Sequence, residues 1–267
     1  MTRTLVLYFS GTGNSKYLAE LFAKEMNAPC FSIEDEVDFK ELFTFHETLA
    51  FCFPTYGSRV PRILREFVTK YAKLIYRKKL ILFCNQMAFS GDGARAFTYI
   101  FPPRIRRKLI ILYAEHFTMP NNVSNLFVTP LAGKKTTRRL FAKAKTKMID
   151  VCDNVKAGIV IKRGFNPVSR GLGLIQGTFM PFFEWLTKDS IRVGENCTGC
   201  GLCIKECPMK NLLCKNGKVT GKGNCIVCYR CVNLCPQKCI TAFFHFKIKK
   251  QYKGMENKIN QEGEVEK

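Results

Sequence analysis

Short unbroken apolar runs alternate with amphipathic stretches through the first 155 or so positions of the chain. "TLVLYF" at 4–9, "LAFCFP" at 49–54, "KLILFC" at 79–84 and "LIILYAEHF" at 109–117 are too short for buried helices, and they predict strands covered on both faces. "APCFSI" at 28–33 predicts a further, shorter strand. Between these runs the apolar positions take helical spacing. Helices are predicted over 16–26, over 61–73 with Pro61 at a first helical position, from Asp92 onward, and over 134–155. On the last of these, Leu140, Phe141, Ala144, Met148, Val151 and Val155 share one face. Such alternation predicts an α/β domain: a doubly wound parallel sheet with helices on both sides.

The pattern breaks at 159–190, where Gly, Pro and aromatic residues interrupt it. That stretch reads as a linker between a first domain, 1–158, and a second, 191–242. Its most apolar run, "GLGLIQGTFMPFFEWL" at 171–186, is shorter than a bilayer span and contains Gly and Pro. It is expected to pack against the protein, with an interfacial membrane segment as the alternative. Residues 243–267 read as a polar tail, frayed along "KIKKQYKGMENKINQEGEVEK".

Composition changes the picture in two respects. Hydrophobic residues make up 46% of the 267, which excludes a disordered chain. The net charge is +22, and residues 101–150 hold eleven Lys and Arg against Glu115 and Asp150. A face of that sign implies an acidic protein partner or contact with an anionic membrane surface; no basic–aromatic motif accompanies it, so nucleic acid is not expected. The start of the chain, "MTRTLVLYFSGTGNS", does not read as a secretory signal. A cytoplasmic location is therefore expected, in which the 14 Cys point to metal rather than to disulfides.

Eight of those Cys fall in two near-copies of one phrase, "CTGCGLCIKECP" at 197–208 and "CIVCYRCVNLCP" at 225–236. Each is Cys-x2-Cys-x2-Cys-x3-Cys-Pro. Structural zinc uses four ligands, usually as two separated Cys pairs, and the third and fourth Cys of each phrase exceed that need; zinc and disulfides remain the alternatives. The first three Cys make a tight wrap, fit for three corners of one cube, and Pro turns the chain away after the fourth. The repeat is similar to that of the two-cluster bacterial ferredoxins, in which the fourth Cys of each phrase serves the other cluster. The resemblance implies one [4Fe–4S] cluster on Cys197, Cys200, Cys203 and Cys235, and another on Cys225, Cys228, Cys231 and Cys207. Cys214 and Cys239, with Cys30, Cys52, Cys84 and Cys152 earlier in the chain, read as small buried apolar residues.

Between the first strand and first helix lies "LYFSGTGNS", with Ser10, Thr12, Gly13, Asn14 and Ser15. Small residues, hydroxyls and a helix N-terminus suit an anion. The stretch is neither a Walker A loop nor G-x-G-x-x-G. It is similar to the phosphate loop of flavodoxins, [ST]-x-T-G-N-[ST]. That resemblance covers residues 1 to about 158 and implies sheet order 2-1-3-4-5, with FMN at the C-terminal edge of the strands. It also implies flavin contacts from "PTYG" (Pro54, Thr55, Tyr56, Gly57) and from "MAFSGDGA" (Phe89, Ser90, Gly91, Gly93). In the family a Gly at position 57 lets the peptide flip, so that its carbonyl meets N5–H of reduced flavin. Gly91-Asp92-Gly93 resembles the clostridial G-D-G, with Ser90 where those flavodoxins carry the stacking aromatic and Phe89 one position earlier. His46, His116 and His245 are scattered, without Cys or carboxylate at ligand spacing, and read as structural.

Taken whole, the chain resembles the flavodoxin–ferredoxin fusion proteins of anaerobic bacteria, including "MPNN" at 119–122. The resemblance implies an electron carrier relaying electrons between FMN, two [4Fe–4S] clusters and a ferredoxin-type donor or reductase. The alternatives are an FMN-dependent reductase of a small molecule or quinone, and a redox-sensing module. No acid–base pair or nucleophile stands out.

Overall fold

A computed structural model describes residues 3–125, 131–215 and 217–254. The chain divides into two compact units: residues 1–10, 14–119 and 137–180 form the first, and residues 11–13, 120–136 and 181–267 the second.

The first unit is built on β1 (Thr4–Tyr8), β2 (Cys30–Ser32), β3 (Thr48–Pro54), β4 (Lys79–Gln86), β5 (Ile110–Thr118) and β6 (Ile161–Lys162). All pairings are parallel, in the order β2-β1-β3-β4-β5-β6. The expected order of five strands is present, and β6 extends it beside Tyr113 and Ala114. Leu5–Leu7, Leu49–Phe53 and Leu80–Cys84 are buried without alternation, as strands covered on both faces require.

The helices are α1 (Asn14–Met26), α2 (Phe39–Phe45), α3 (Arg62–Lys70), α4 (Ala72–Ile75), α5 (Pro103–Arg106), α6 (Lys134–Lys156) and α7 (Pro167–Thr178). The helix expected from Asp92 is a 3-10 helix, Gly93–Ile100. Its tighter pitch puts Ala94 and Phe97, three apart, on one buried side, with the Phe97 ring 4.7 Å from that of Phe51.

The helix α6 buries Phe141, Ala144, Met148, Val151 and Cys152, and a buried carboxylate pins it to the sheet. Glu115 Oε1 pairs with Lys147 Nζ at 3.0 Å and with Arg163 Nε at 2.5 Å, and Lys147 also donates to the His116 carbonyl. His116 Nε2 accepts from the Ala94 N–H at 3.1 Å, and burial lowers its pKa to about 4, so the neutral ring links β5 to the 3-10 helix.

Residues 171–186 depart from the expected packed linker. They form most of α7 and of α8 (Met180–Thr187), and the residues that α7 buries are small, Gly173 and Gly177. Gly173 lies against Asp92, Gly177 lies against Arg59, and Arg59 Nε donates to the Gly177 carbonyl at 3.2 Å. Small residues allow that close approach and leave the large ones outside: Val168, Ile175 and Phe179 are 72%, 67% and 71% exposed. Among the described residues no helix is long and apolar enough to cross a membrane.

The second unit carries β7 (Arg192–Val193), α9 (Leu202–Lys205), β8 (Leu212–Lys215), β9 (Lys218–Gly221), α10 (Arg230–Leu234) and β10 (Ile240–Thr241). β7 pairs antiparallel with β10, and β8 with β9. The core gathers Ile191, Leu212, Val219, Tyr229, Val232, Ile240 and Ile248 with six buried or half-buried cysteines of the two phrases and Cys239 around it. The "MPNN" segment leads into this core. Tyr229 Oη donates to Asn125 Oδ1 at 2.9 Å, and Asn233 Nδ2 donates to the Asn122 carbonyl at 2.9 Å.

The expected frayed tail is also corrected in part. Ile248 and Tyr252 are buried, Gln251 Nε2 donates to the Val232 and Cys235 carbonyls, and the Tyr252 N–H donates to Asn233 Oδ1. Two apolar side chains four apart suffice to hold this polar stretch on the core. Residues 255–267 of the expected tail lie outside the described residues.

Candidate functional site

The turn from β1 into α1 holds the residues expected at a phosphate. Ser10, Asn14 and Ser15 are buried, and Gly13 takes φ +98°, which only glycine adopts readily. Ser15 Oγ bonds Asn85 Oδ1 at the end of β4. No acidic residue stands in the first turn of α1, whose leading N–H groups lack intrahelical acceptors. A Cβ on Gly13 would meet no atom within 4 Å, so the turn is open there. Residues 11–13 are held by the second unit's side chains. Arg230 Nε donates to the Gly11 carbonyl at 3.2 Å, and Asn122 Nδ2 donates to Thr12 Oγ1 at 2.9 Å. A Cβ on Gly11 would lie 2.5 Å from the Cys228 carbonyl oxygen, so glycine is required for this approach.

After β3, Pro54, Thr55 and Tyr56 are half-buried and Gly57 is exposed. Tyr56 and Arg59 exchange two backbone hydrogen bonds at 3.0 Å around Gly57 (φ +52°) and Ser58 (φ +57°), a type I′ hairpin turn. The Thr55 N–H donates to the Asn85 carbonyl, so Asn85 braces this turn as well as Ser15. After β4, Phe89 is exposed, whereas Ser90 and Gly91 are buried. Ser90 Oγ bonds Gln86 Oε1, and a Cβ on Gly93 would strike Ser90 Oγ and Cys84 Sγ, which gives Gly93 a packing role. Asp92 is fully buried, receives the Tyr99 hydroxyl at 2.6 Å and faces Arg95; burial raises its pKa more than Arg95, Arg59 and Arg170 lower it. Gly57 lies beside Met180 and Gly91 beside Gly173, so α7 and the first residue of α8 flank these turns. The sequence carried no signal for Asn85, Met180 or Arg230 in these positions.

In the second unit the eight phrase cysteines separate into two cavities. Cys197, Cys200, Cys203 and Cys235 line one, and Cys207, Cys225, Cys228 and Cys231 line the other. The two wraps share a backbone shape. Positions two and four after the leading Cys have positive φ in both: Gly199 and Gly201 in the first, Val227 and Tyr229 in the second. Burial pushes the Cys228 thiol up to about 12 and the Cys231 thiol well above its ordinary range, so uncompensated thiolates are disfavoured there. Among the described residues no three His, Cys, Asp or Glu side chains are gathered around one point as a single metal ion requires. Of the six remaining cysteines, Cys52, Cys84 and Cys152 are buried as expected and Cys30 is half-buried. Cys214, expected to be buried, is exposed, because β8 and β9 form a two-stranded hairpin with an uncovered face. Cys239 is buried, but in the wall of the first cysteine cavity.

The chain is similar in its first part to several solved structures, all at low identity. A WrbA-like flavodoxin of Agrobacterium tumefaciens is 19% identical, with 59% of this chain and 99% of that one covered and a TM-score of 0.39. A Fusobacterium nucleatum flavodoxin bound to flavin mononucleotide is 16% identical, with 58% and 99% covered and a TM-score of 0.37. The two-electron reduced flavodoxin of Megasphaera elsdenii is 16% identical, with 54% and 98% covered and a TM-score of 0.37. No curated protein matches the chain. The family model described as the flavodoxin domain matches residues 5–154, more than half of the sequence. With the parallel β2-β1-β3-β4-β5 sheet and the turn at its C-terminal edge, that match identifies the chain as a member of the flavodoxin domain family.

Proposed function

We propose that the chain is an electron-transfer flavoprotein holding FMN at the 10–15 turn and two [4Fe–4S] clusters in the cysteine cavities. The observation that carries this reading is the crossed gathering of thiols: three from one phrase and the fourth from the other, in both cavities. One metal ion draws its ligands to a single point, whereas the corners of a cubane spread them around a wall, and four thiols lining each cavity support the second reading. The turn suits a phosphate through its helix N-terminus, its hydroxyls and its open side at Gly13. When bound, the clusters supply single electrons and FMN supplies one or two. The chain's own side chains bind and orient: Asn85 braces the turns on both sides, and the positive-φ residues shape the thiol wraps.

Protein purified without oxygen should contain about eight iron, about eight acid-labile sulfide and about one FMN per chain. Zinc in place of iron, or flavin without iron, would remove the relay.

The partner in this reading is an acidic redox protein that docks on the basic face. Arg138, Arg139, Lys143 and Lys145 stand exposed on α6, whereas Lys147 is tied to Glu115. Electron exchange with an acidic ferredoxin, followed by stopped flow, should slow about tenfold or more as salt rises from about 0.02 to about 0.5 M. Changing the four exposed cations to Gln should reproduce part of that loss at low salt. A rate indifferent to both would leave the face as ordinary solvated surface.

A further inference from the structure

We infer that Cys239 is a fifth thiol of the first cysteine cavity, able to take over the ligand position of Cys235. The inference rests on the iron–sulfur reading above and concerns which residues hold the cluster. Cys239 Sγ lies 3.4 Å from Cys235 Sγ, is buried, and lines the same cavity as Cys197, Cys200, Cys203 and Cys235. The backbone explains the proximity. Lys238 adopts φ +51° and its N–H donates to the Cys235 carbonyl at 3.1 Å, closing a turn that returns the chain beside Cys235. The Cys239 carbonyl then accepts from the Gly194 N–H at 2.8 Å. Both ends of the turn are thus fixed, and the two sulfurs share one side of it.

The other cavity supplies the comparison. The turn after Cys207 has the same form: Lys210 has φ +48°, and its N–H donates to the Cys207 carbonyl at 2.9 Å. The residue equivalent to Cys239 there is Asn211, which is not available as a thiol. Its N–H points at Cys207 Sγ at 3.3 Å, and its side-chain oxygen accepts from the N–H groups of Lys222 and Asn224. One repeat therefore carries a structural amide where the other carries a second sulfur. The two sites should differ in their tolerance: the first survives loss of its crossed ligand and the second does not.

The test compares alanine variants reconstituted with iron and sulfide under strictly anaerobic conditions, since alanine offers no oxygen as a substitute ligand. Cys235→Ala should keep about eight iron per chain, with an altered EPR spectrum for one centre, while Cys235→Ala combined with Cys239→Ala should keep about four. Cys239→Ala alone should keep about eight with the wild-type spectrum. Wild-type protein without iron would reject the iron–sulfur reading itself. Wild-type protein with about eight iron, beside Cys235→Ala with about four, would reject the fifth ligand alone. Cys235→Val is the second variant, likewise without a ligating atom, in case alanine destabilises the turn. Loss of iron in both single variants counts equally against the proposal, because a thiol already in the wall should serve without rebuilding it.

Discussion

Cys207→Ala is expected to lower bound iron from about eight to about four atoms per chain, and the four lost are those of the cavity formed by the second phrase. Cys207 stands in the first phrase, but it lines the cavity of Cys225, Cys228 and Cys231. Three thiols remain there after the substitution, and no other cysteine lines that cavity. Asn211 occupies the one nearby position that could have supplied one, and Cys214 is exposed on β8. A cluster left with three thiolates in a largely buried wall is not retained. The assignment is read by grouping spectra rather than by counting alone. The EPR spectrum of Cys207→Ala should match that of Cys225→Ala and differ from that of Cys200→Ala, whose side chain lines the other cavity. If Cys207→Ala instead matches Cys200→Ala, each phrase holds its own cluster and the crossed arrangement is wrong.

What the sequence made legible is what local spacing determines. Five strands and the longer helices follow from apolar runs and periodicity, α2 and α5 being too short to show it, and the turn at 10–15 is recognisable because its chemistry is contiguous. The cysteine wraps are legible for the same reason. Two things depended on the folded chain. The first is short pairing: β6 is two residues long and has no pattern of its own, so only its register beside Tyr113 and Ala114 defines it. The second is the side on which a residue packs. The glycines of α7 read as helix breakers, yet Gly173 and Gly177 are the contact face, while Val168, Ile175 and Phe179 point outward. Polarity likewise suggested a frayed end where Ile248 and Tyr252 hold the chain on the core. Asn85 and Cys239 act through neighbours 70 and four positions away, respectively, and neither lies in a motif.

Substituting Thr12→Val together with Asn14→Ala should weaken FMN by about 10²–10³-fold and riboflavin by less than about threefold. Hydrogen bonds to a charged group contribute about 1.5–3 kcal/mol each, and each 1.4 kcal/mol is tenfold in affinity, so two such donors account for the expected loss. Riboflavin lacks the phosphate and therefore never made those bonds. Val is close in shape to Thr, so the first change removes a hydroxyl with little change in volume. It also takes away the acceptor of Asn122 Nδ2, which donates to Thr12 Oγ1 at 2.9 Å. Asn122→Ala separates that effect: it leaves the Thr12 hydroxyl in place and should alter FMN affinity by less than about tenfold. Asn14 is the first residue of α1 and is buried, so far-UV circular dichroism on the double variant must show the helix content unchanged. Titration of apoprotein by flavin fluorescence quenching measures all three affinities. Equal weakening of FMN and riboflavin would mean that the turn supports the flavin ring or the fold rather than the phosphate, and the phosphate site would then have to be sought elsewhere on the chain.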